Sequence, residues 1–160
     1  SGAVLPEVLT QLADVCGAED PPDTAAFEAT AMALALHVQK MNAHPEEAQL
    51  RNVRLSNPNF HGEIGCRPNR LGIKAFLAMG FREECKGRLD APDAPDETFL
   101  ILHEPDPFEK FDEWNEWMET IKLNKVRLNA LVDAIKRYRR DGTVYTVSEV
   151  FQAAAAEAAQ

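Results

Sequence analysis

Cysteines and long apolar runs are both scarce in this sequence of 160 residues. The three cysteines, Cys16, Cys66 and Cys85, are too few and too irregularly spaced for a disulfide framework. No apolar run approaches the ~18 residues of a membrane span, and there is no basic and then apolar leader for secretion. We therefore expect a cytoplasmic protein in a reducing compartment, with the nucleus as a further location and no membrane partner.

An initial methionine is also missing, since the chain begins Ser1-Gly2. This suggests a fragment of a longer protein, part of whose function lies elsewhere. Apolar residues make up 45% of the chain and charged residues 27%, which is typical of a globular domain. A chain of this length buries roughly 70% of the surface that its unfolded form exposes, so we expect a single core and a monomer.

Basic residues are nearly absent from the first 50 positions, which carry one base and eight acids. Residues 51–89 reverse this balance with eight bases and three acids, whereas residues 90–160 carry eight bases and fifteen acids. The overall net charge of -9 repels phosphate, so we expect no nucleic-acid partner. The basic middle segment either receives an acidic peptide or is compensated by acids of the chain's own surface.

Apolar residues that recur every three or four positions predict two N-terminal helices. The first spans residues 4–15 and ends before Gly17. Asp23 or Thr24 caps the second helix, whose apolar side continues to about Met41.

Prolines predict the boundaries of two further helices. Pro45 suits the first turn of a third helix that runs through Leu50 and Val53. Asn57-Pro58 must stop that helix, because the residue before a proline is pushed out of the helical region. A fourth helix opens at Pro68-Asn69. One side of this fourth helix carries Ile73, Phe76, Leu77 and Gly80.

The second half of the chain predicts a surface insertion, one strand and a long helix. Charged residues, glycine and two prolines indicate an insertion over residues 85–97, and the apolar run 98–103 is the one convincing strand. Residues 106–109 fit a capping box for a helix that continues to Arg140 and closes at Asp141-Gly142.

The long helix that ends at Arg140 would be ~50 Å long, so part of it must project from the domain or bend. We expect the side that carries Phe111, Trp114 and Met118 to pack on the core. A final, alanine-rich helix is expected to begin at Ser148, whose side chain can cap it.

Catalytic and metal-binding patterns are missing as well. No paired CxxC or HxxxH spacing joins the four potential zinc ligands, which are His61, Cys66, Cys85 and His103. The glycines within residues 62–72 follow no strand and precede no Lys-Ser/Thr pair, which excludes a phosphate-binding loop. We expect a binding domain without enzymatic activity, metal or cofactor.

Three segments occur in the order of a known family pattern. Leu50-Arg-Asn-Val-Arg-Leu-Ser-Asn-Pro-Asn-Phe60 alternates basic and aliphatic residues before an Asn-x-x-Phe element. Residues 73–81 form a helix that ends Met-Gly-Phe, and Phe99-Leu-Ile-Leu102 follows as a strand. Together, over residues 25–123, they resemble the PUB domain, also called PUG, of peptide:N-glycanase, UBX-containing adaptors and the linear-ubiquitin ligase.

The resemblance implies both a fold and a ligand. The fold is α+β, a mainly helical PUB-like domain with a small antiparallel sheet over residues 23–124. An N-terminal helix in residues 1–20 precedes it and a C-terminal helical extension in residues 125–160 follows it. The ligand is the acidic C-terminal tail, with leucine and tyrosine near its end, of the valosin-containing AAA ATPase. Such an adaptor would link its parent protein to ubiquitin-proteasome or ER-associated degradation.

Carried over by position, the peptide-binding residues of the family point to Arg51, Arg54, Asn57, Lys74, Leu77 and Gly80. The resemblance implies that Arg54 pairs with acids of the tail and that Asn57 bonds a backbone group of the peptide. Leu77 and the gap at Gly80 would accept the apolar and aromatic anchors. Each position also has a purely structural explanation, as a turn before Pro58, a solvated basic face or a helix end.

Two other functions stay open. Met79-Gly80-Phe81 also marks the ubiquitin-binding loop of UBA domains, although here charged residues and a strand follow it rather than short helices. An RNA-contacting accessory domain would lose affinity strongly with added salt, and the acidic flanks of the chain argue against it. Its basic surface would consist of Arg51, Arg54, Arg67, Arg70 and Lys74.

Overall fold

The structure is a computed structural model that describes residues 4–88 and 90–159. Within these residues the chain forms six helices and a three-stranded antiparallel sheet. The helices are α1 (Leu5–Gly17), α2 (Thr24–Ala43), α3 (Pro58–Phe60), α4 (Leu71–Ala78), α5 (Phe111–Asp141) and α6 (Val147–Ala158). The strands are β1 (Asn52–Arg54), β2 (Arg82–Lys86) and β3 (Glu97–Ile101). The predicted α+β class, mainly helical with a small antiparallel sheet, is confirmed.

The first two helices form where the apolar spacing predicts them. Pro6 lies at the start of α1, where its missing N–H costs no helical hydrogen bond. The side chain of Asp23 caps α2 by accepting a hydrogen bond from Ala26 N at 3.2 Å. Leu9 of α1 and Leu34 of α2 are fully buried. Both predicted helices are therefore confirmed.

The third helix predicted from Pro45 is wrong. Residues 48–51 form a single 3₁₀ turn, after which the chain extends as β1. Val53 pairs with Leu100 of β3, and Leu102 N donates a hydrogen bond to Arg51 O at 2.8 Å. This pairing satisfies the backbone of the segment and holds Val53 against the core. Tertiary contacts thus override the local helical pattern.

The sheet confirms one predicted strand and adds one that was missed. The run predicted at 98–103 is β3, the central strand in the order β1-β3-β2. β2 occupies one edge and pairs with β3 from Arg82–Ile101 to Lys86–Glu97. Four of its five side chains are charged, which hides the strand pattern because an edge strand can leave such side chains in water. The surface insertion predicted for residues 85–97 is therefore wrong at both ends.

A series of close turns leads from β1 into α4. α3 continues as a π-helical turn, His61–Gly65, and a 3₁₀ turn, Pro68–Arg70, follows with positive φ angles at Asn69 and Arg70. α4 therefore begins three residues later than predicted from Pro68. A Cβ atom built on Gly72 would lie 2.1 Å from the backbone oxygen of Ile64, so glycine lets α4 approach the π-helical turn closely.

The capping box predicted at residues 106–109 does not start the long helix. Asp106 Oδ1 accepts hydrogen bonds from Phe108 N at 2.8 Å and Glu109 N at 3.4 Å, which closes a separate turn. α5 begins later, at Phe111. It ends as predicted at Gly142, whose φ of 77° suits a left-handed C-terminal cap.

The start of α5 projects from the domain as far as Trp117, which packs against the core cluster. With 31 residues the helix is about 46 Å long. Residues 111–120 include no buried side chain, and Ile121 is the first buried residue. The expectation that Phe111, Trp114 and Met118 pack on the core is wrong for Phe111, which is 60% exposed. Trp114 and Met118 are half-buried but are not among the side chains packed against the core cluster, and Trp117 packs there instead.

One hydrophobic cluster gathers residues from α1 through α6. α6 begins one residue before the predicted Ser148, because Thr146 caps it by accepting a hydrogen bond from Glu149 N at 3.2 Å. The division into residues 1–20, 23–124 and 125–160 stays a prediction. Among the described helices, none combines the length and apolar character needed to cross a membrane.

Substitutions in α5 separate its packed part from its projecting part. Leu131 is fully buried, so Leu131→Ala should lower the free energy of unfolding by about 2–5 kcal/mol. Phe111 is mostly exposed, so Phe111→Ala should lower it by less than about 0.5 kcal/mol. Urea unfolding followed by circular dichroism measures both. A loss above about 2 kcal/mol for Phe111→Ala would show that the start of α5 belongs to the core.

The close contact at Gly72 predicts a second effect on stability. Gly72→Ala should lower the free energy of unfolding by at least about 2 kcal/mol, because the added carbon meets backbone rather than a flexible side chain. Gly62→Ala is a matched control, since a Cβ there meets no atom within 4 Å. Thermal unfolding compares the two variants, and equal midpoints would contradict the close approach of α4 to the π-helical turn.

Candidate functional site

A groove of about 1200 Å³ lies between α2 and β1. One wall is α2 from Ala33 to Lys40, and the opposite wall is formed by residues 48–50 and 52–54. Residues of the segment 57–64 and of the loop after β2 complete the lining. The groove therefore depends on β1 being an outer strand of the sheet that residues 4–88 and 90–159 form.

Apolar side chains form the floor of the groove. Phe60, Ile64 and Phe76 line it and are buried members of the core. The rings of Phe60 and Phe76 meet edge to face, with 5.6 Å between their centroids. Leu36 of α2 also lines the groove and is 52% exposed. An apolar ligand side chain could cover Leu36 while resting on this aromatic layer.

Basic side chains outnumber acidic ones along the groove. The charged lining consists of the bases Lys40, Arg54, Lys86 and Arg88 and the acids Glu63 and Asp90. Lys86 Nζ donates a hydrogen bond to Asn52 Oδ1 at 2.7 Å and lies 5.1 Å from the ring centroid of Phe99. Neither lysine takes part in the ion pairs of the described part of the chain. They give the groove two uncompensated positive charges.

The two arginines share one carboxylate. Arg54 Nη1 and Arg88 Nε lie 3.6 and 3.7 Å from the same oxygen, Glu97 Oε2. Arg88 also donates to both carboxylate oxygens of Asp90, at 3.0 and 2.6 Å. This hydrogen bond lowers the pKa of Asp90 below its usual value. Arg88 is thus well compensated, whereas Arg54 shares a long ion pair and can receive a ligand carboxylate.

Asn57 lines the groove and also caps α3. Its Oδ1 accepts hydrogen bonds from Asn59 N at 3.0 Å and Phe60 N at 3.2 Å. The amide NH₂ group makes no hydrogen bond among the described residues. Asn57 therefore orients the segment that contributes Phe60 and keeps two N–H donors for a ligand.

Arg51, one of the predicted site residues, lies outside the groove lining. Its guanidinium donates a hydrogen bond to Pro45 O at 2.5 Å and lies 5.9 Å from the ring centroid of Trp117. It is also 3.7 Å from Glu104. These contacts tie the turn before β1 to the start of α5, so Arg51 has a structural role.

The three predicted residues on and after α4 also lie outside the groove lining. Lys74 is exposed, Leu77 is half-buried against the core, and Gly80 is exposed with a φ of 103°. The structure thus brings together Arg54 and Asn57 of the predicted set. Peptide binding by Arg51 and by the residues on and after α4 stays a prediction.

The sequence analysis missed most of the groove lining, including Leu36, Lys40, Lys86 and Arg88. Leu36 and Lys40 lie one turn apart on α2 and outside its apolar stripe, so an exposed leucine beside a lysine was the available signal. Lys86 and Arg88 belong to the basic segment 51–89. Lys86 ends β2 and its side chain reaches Asn52 of β1, although β3 lies between the two strands. The charged sequence of β2 did not predict this strand.

Most of the residues invoked for the two alternative functions make contacts within the fold, whereas Lys74 is exposed. Met79 and Phe81 are 7% and 2% exposed, so the Met-Gly-Phe tripeptide presents its glycine to solvent. Arg67 Nε donates a hydrogen bond to the buried hydroxyl of Thr30 at 2.7 Å. Arg70 pairs with a carboxylate of β2 at 2.7 Å. These bases are held by the protein's own acceptors and form no row of free charges.

The four potential zinc ligands of the sequence do not gather into a site in the described residues. His103 Nε2 contacts the carboxylate of Glu84, and Cys66 Sγ lies 3.5 Å from Gly62 O. In residues 4–88 and 90–159, a single group of three potential ligands lies within 4.8 Å of one another. It consists of the exposed His44, Glu46 and Glu47. Exposed acidic groups of this kind are common without an ion, so the cluster supports no metal assignment.

His37 lies in the α2 wall as a half-buried imidazole. Its Nε2 donates a hydrogen bond to Leu50 O at 2.7 Å, and its ring meets Phe76 edge to face at 5.3 Å. Burial lowers the pKa of His37, and the nearby charge of Lys40 adds to this, while the hydrogen bond to Leu50 opposes it. The imidazole is therefore neutral near pH 7 and links α2 to the turn before β1.

The low pKa of His37 predicts a dependence of stability on pH. The unfolded chain protonates this histidine more readily than the folded protein, so stability should decrease as the pH falls from about 7 to about 5. His37→Gln keeps a donor near Leu50 O and removes the titrating group. Urea unfolding at several pH values should show a steeper loss in the wild type than in the variant. Parallel curves would contradict a half-buried, neutral His37.

Comparison with protein-family models gives no match for this chain, and none of the curated proteins matches it. The interpretation of the groove therefore depends on its own residues and on the motifs of the sequence.

Proposed function

We propose that this domain is a peptide-binding adaptor that captures an acidic C-terminal tail with apolar anchors. The observation that carries the proposal is the groove between α2 and β1, where uncompensated lysines border an apolar floor. The resemblance to PUB domains supplies the candidate ligand, the Leu/Tyr-ending tail of the valosin-containing AAA ATPase. We propose binding rather than catalysis, with no metal or cofactor.

The chemistry of the groove matches the two parts of such a tail. Carboxylates of the peptide would pair with Lys40 and Lys86 at the rim and with Arg54, whose own ion pair is long. Leucine or tyrosine would cover Leu36 and contact the aromatic floor. One or two apolar anchors and a few charged bonds correspond to a dissociation constant of roughly micromolar size.

Recognition should depend on side chains more than on an added strand. Asn52 N already donates to Gln49 O, and Arg54 O already accepts from Asn57 N at 3.1 Å. β1 is also only three residues long. Its outer edge therefore offers few backbone groups for strand addition.

Charge-removing variants distinguish the groove from the surface of α4. Arg54→Gln and Lys40→Gln should each lower the affinity for a short acidic peptide that ends in leucine and tyrosine. The loss should be about three- to tenfold in dilute buffer and smaller at high salt. Lys74→Gln removes the same charge from a residue outside the groove and should have little effect. Isothermal titration measures all three variants.

The opposite order of effects on peptide affinity would place the binding site at α4. If Lys74→Gln weakens binding while the two groove variants bind like the wild type, the peptide binds at α4 and the groove assignment is wrong. Tighter binding of ubiquitin or of single-stranded RNA than of the peptide would instead support one of the alternative functions.

Asn57 requires a variant that spares its cap. Serine is as good an N-cap as asparagine, so Asn57→Ser keeps the acceptor for Asn59 N and Phe60 N while removing the amide NH₂. We expect about a fivefold to hundredfold loss of peptide affinity that persists at high salt, because a desolvated peptide acceptor stays unpaired. Thermal unfolding controls for the cap. Unchanged affinity in a stably folded Asn57→Ser variant would exclude Asn57 from the binding site.

A further inference from the structure

A second surface lies at the start of α5 and in the turn before it, and is here termed the aromatic tip. It consists of Phe111 and Trp114 of the helix, whose rings stack, and of Phe108, which lies three residues before the helix. Phe108 is 95% exposed and Phe111 is 60% exposed. The rings of Phe111 and Trp114 stack with 6.3 Å between centroids and an interplanar angle of 24°. Exposed aromatic side chains that lie together are more typical of an interaction surface than isolated ones.

The aromatic tip continues the apolar stripe with which α5 packs on the core. Leu128 and Ile121 lie on that stripe and are buried. The stripe continues toward the N-terminus at the same helical spacing with Met118, Trp114 and Phe111. Met118 and Trp114 are half-buried, and Phe111 is exposed. α5 therefore carries an apolar stripe longer than the described part of the domain covers.

The tip is held in a fixed orientation. Trp114 Nε1 donates a hydrogen bond to Glu104 Oε2 at 2.9 Å, and Glu104 Oε1 lies 3.7 Å from Arg51. Arg51 is in turn anchored to Pro45 O. This chain of contacts connects the indole of the tip to the turn before β1, so a partner would meet a preorganised surface.

The charge around the tip has one sign. Residues 104–119 contain seven acids and one base, Lys110. Asp112 and Glu113 lie in the first turn, where they stabilise the positive end of the helix. Glu116 and Glu119 lie beyond that turn and are exposed, so the helix end does not account for them. Such a surface repels nucleic acid and anionic membranes and attracts a basic protein segment.

We infer that the aromatic tip docks a basic amphipathic helix of a protein partner. The apolar face of that helix packs against the tip, and its lysines or arginines pair with the flanking carboxylates. A helix suits the site because the apolar residues of α5 recur every three or four positions, which is the spacing of helix-on-helix packing. The inference uses residues outside the groove and does not depend on the proposed function.

The probe for this surface is a synthetic helical peptide of about eighteen residues made of leucine and lysine, with a leucine-glutamate peptide of the same pattern as control. The double variant Phe108→Ser/Phe111→Ser removes the exposed aromatics, and Val144→Ser removes an apolar residue that is 82% exposed elsewhere. Circular dichroism and thermal unfolding of both variants should match the wild type, because none of these side chains is buried.

Fluorescence titration should show micromolar binding of the lysine peptide to the wild type and to Val144→Ser. We expect the double variant to bind the lysine peptide at least about tenfold more weakly. The glutamate peptide should not bind to any of the three proteins. If the double variant binds the lysine peptide as tightly as the wild type does, binding depends on net charge and not on the aromatic tip. That result would overturn the inference. Absence of binding to the wild type, or wild-type dimers in sedimentation that the double variant abolishes, would overturn it as well.

Discussion

The antiparallel pairing of β1 with β3 holds together the parts of the chain on which the candidate site depends. Val53 lies opposite Leu100, and Leu55 N donates to Thr98 O at 3.1 Å. The same register places Arg54 opposite Phe99, next to Glu97, the acid that it shares with Arg88. Without this pairing the basic segment would have no defined position relative to α2, and the groove between them would not exist.

The aromatic cluster under the groove supplies the rigidity that this arrangement needs. Phe76 contacts Phe60, Phe81 and His37 edge to face, so one side chain of α4 joins α2, α3 and the start of β2. Gly72 permits α4 to approach the π-helical turn that carries Ile64. The floor of the groove is therefore part of the core, whereas its rim carries the charged side chains.

The uneven charge of the sequence becomes two surfaces of opposite sign. Bases of the segment 51–89 contribute most of the groove rim, while acids of residues 104–119 surround the start of α5. Arg51 stands between these regions, because it anchors the turn before β1 and contacts Glu104 beside Trp114. The residue for which the family resemblance implies peptide binding thus contacts, through Glu104, the indole at the start of α5.

The sequence by itself determined the elements whose signals are local. The apolar spacing and the cap at Asp23 predict α1 and α2, the apolar run before residue 103 predicts β3, and Gly142 predicts the end of α5. These features depend on helical or strand periodicity and on the backbone preferences of single residues. Both can be recognised from a short stretch of sequence.

Tertiary structure alone decided the elements whose stability comes from distant partners. Residues 52–54 have a helical pattern but extend because β3 offers hydrogen bonds, and β2 is charged because its side chains at a sheet edge stay in water. The groove brings Leu36 and Lys40 from one helix to Arg54 and Asn57 from a later segment. No local pattern could place them together, because contacts between distant segments depend on how sheet and helices pack, and each pattern records only the burial of its own element.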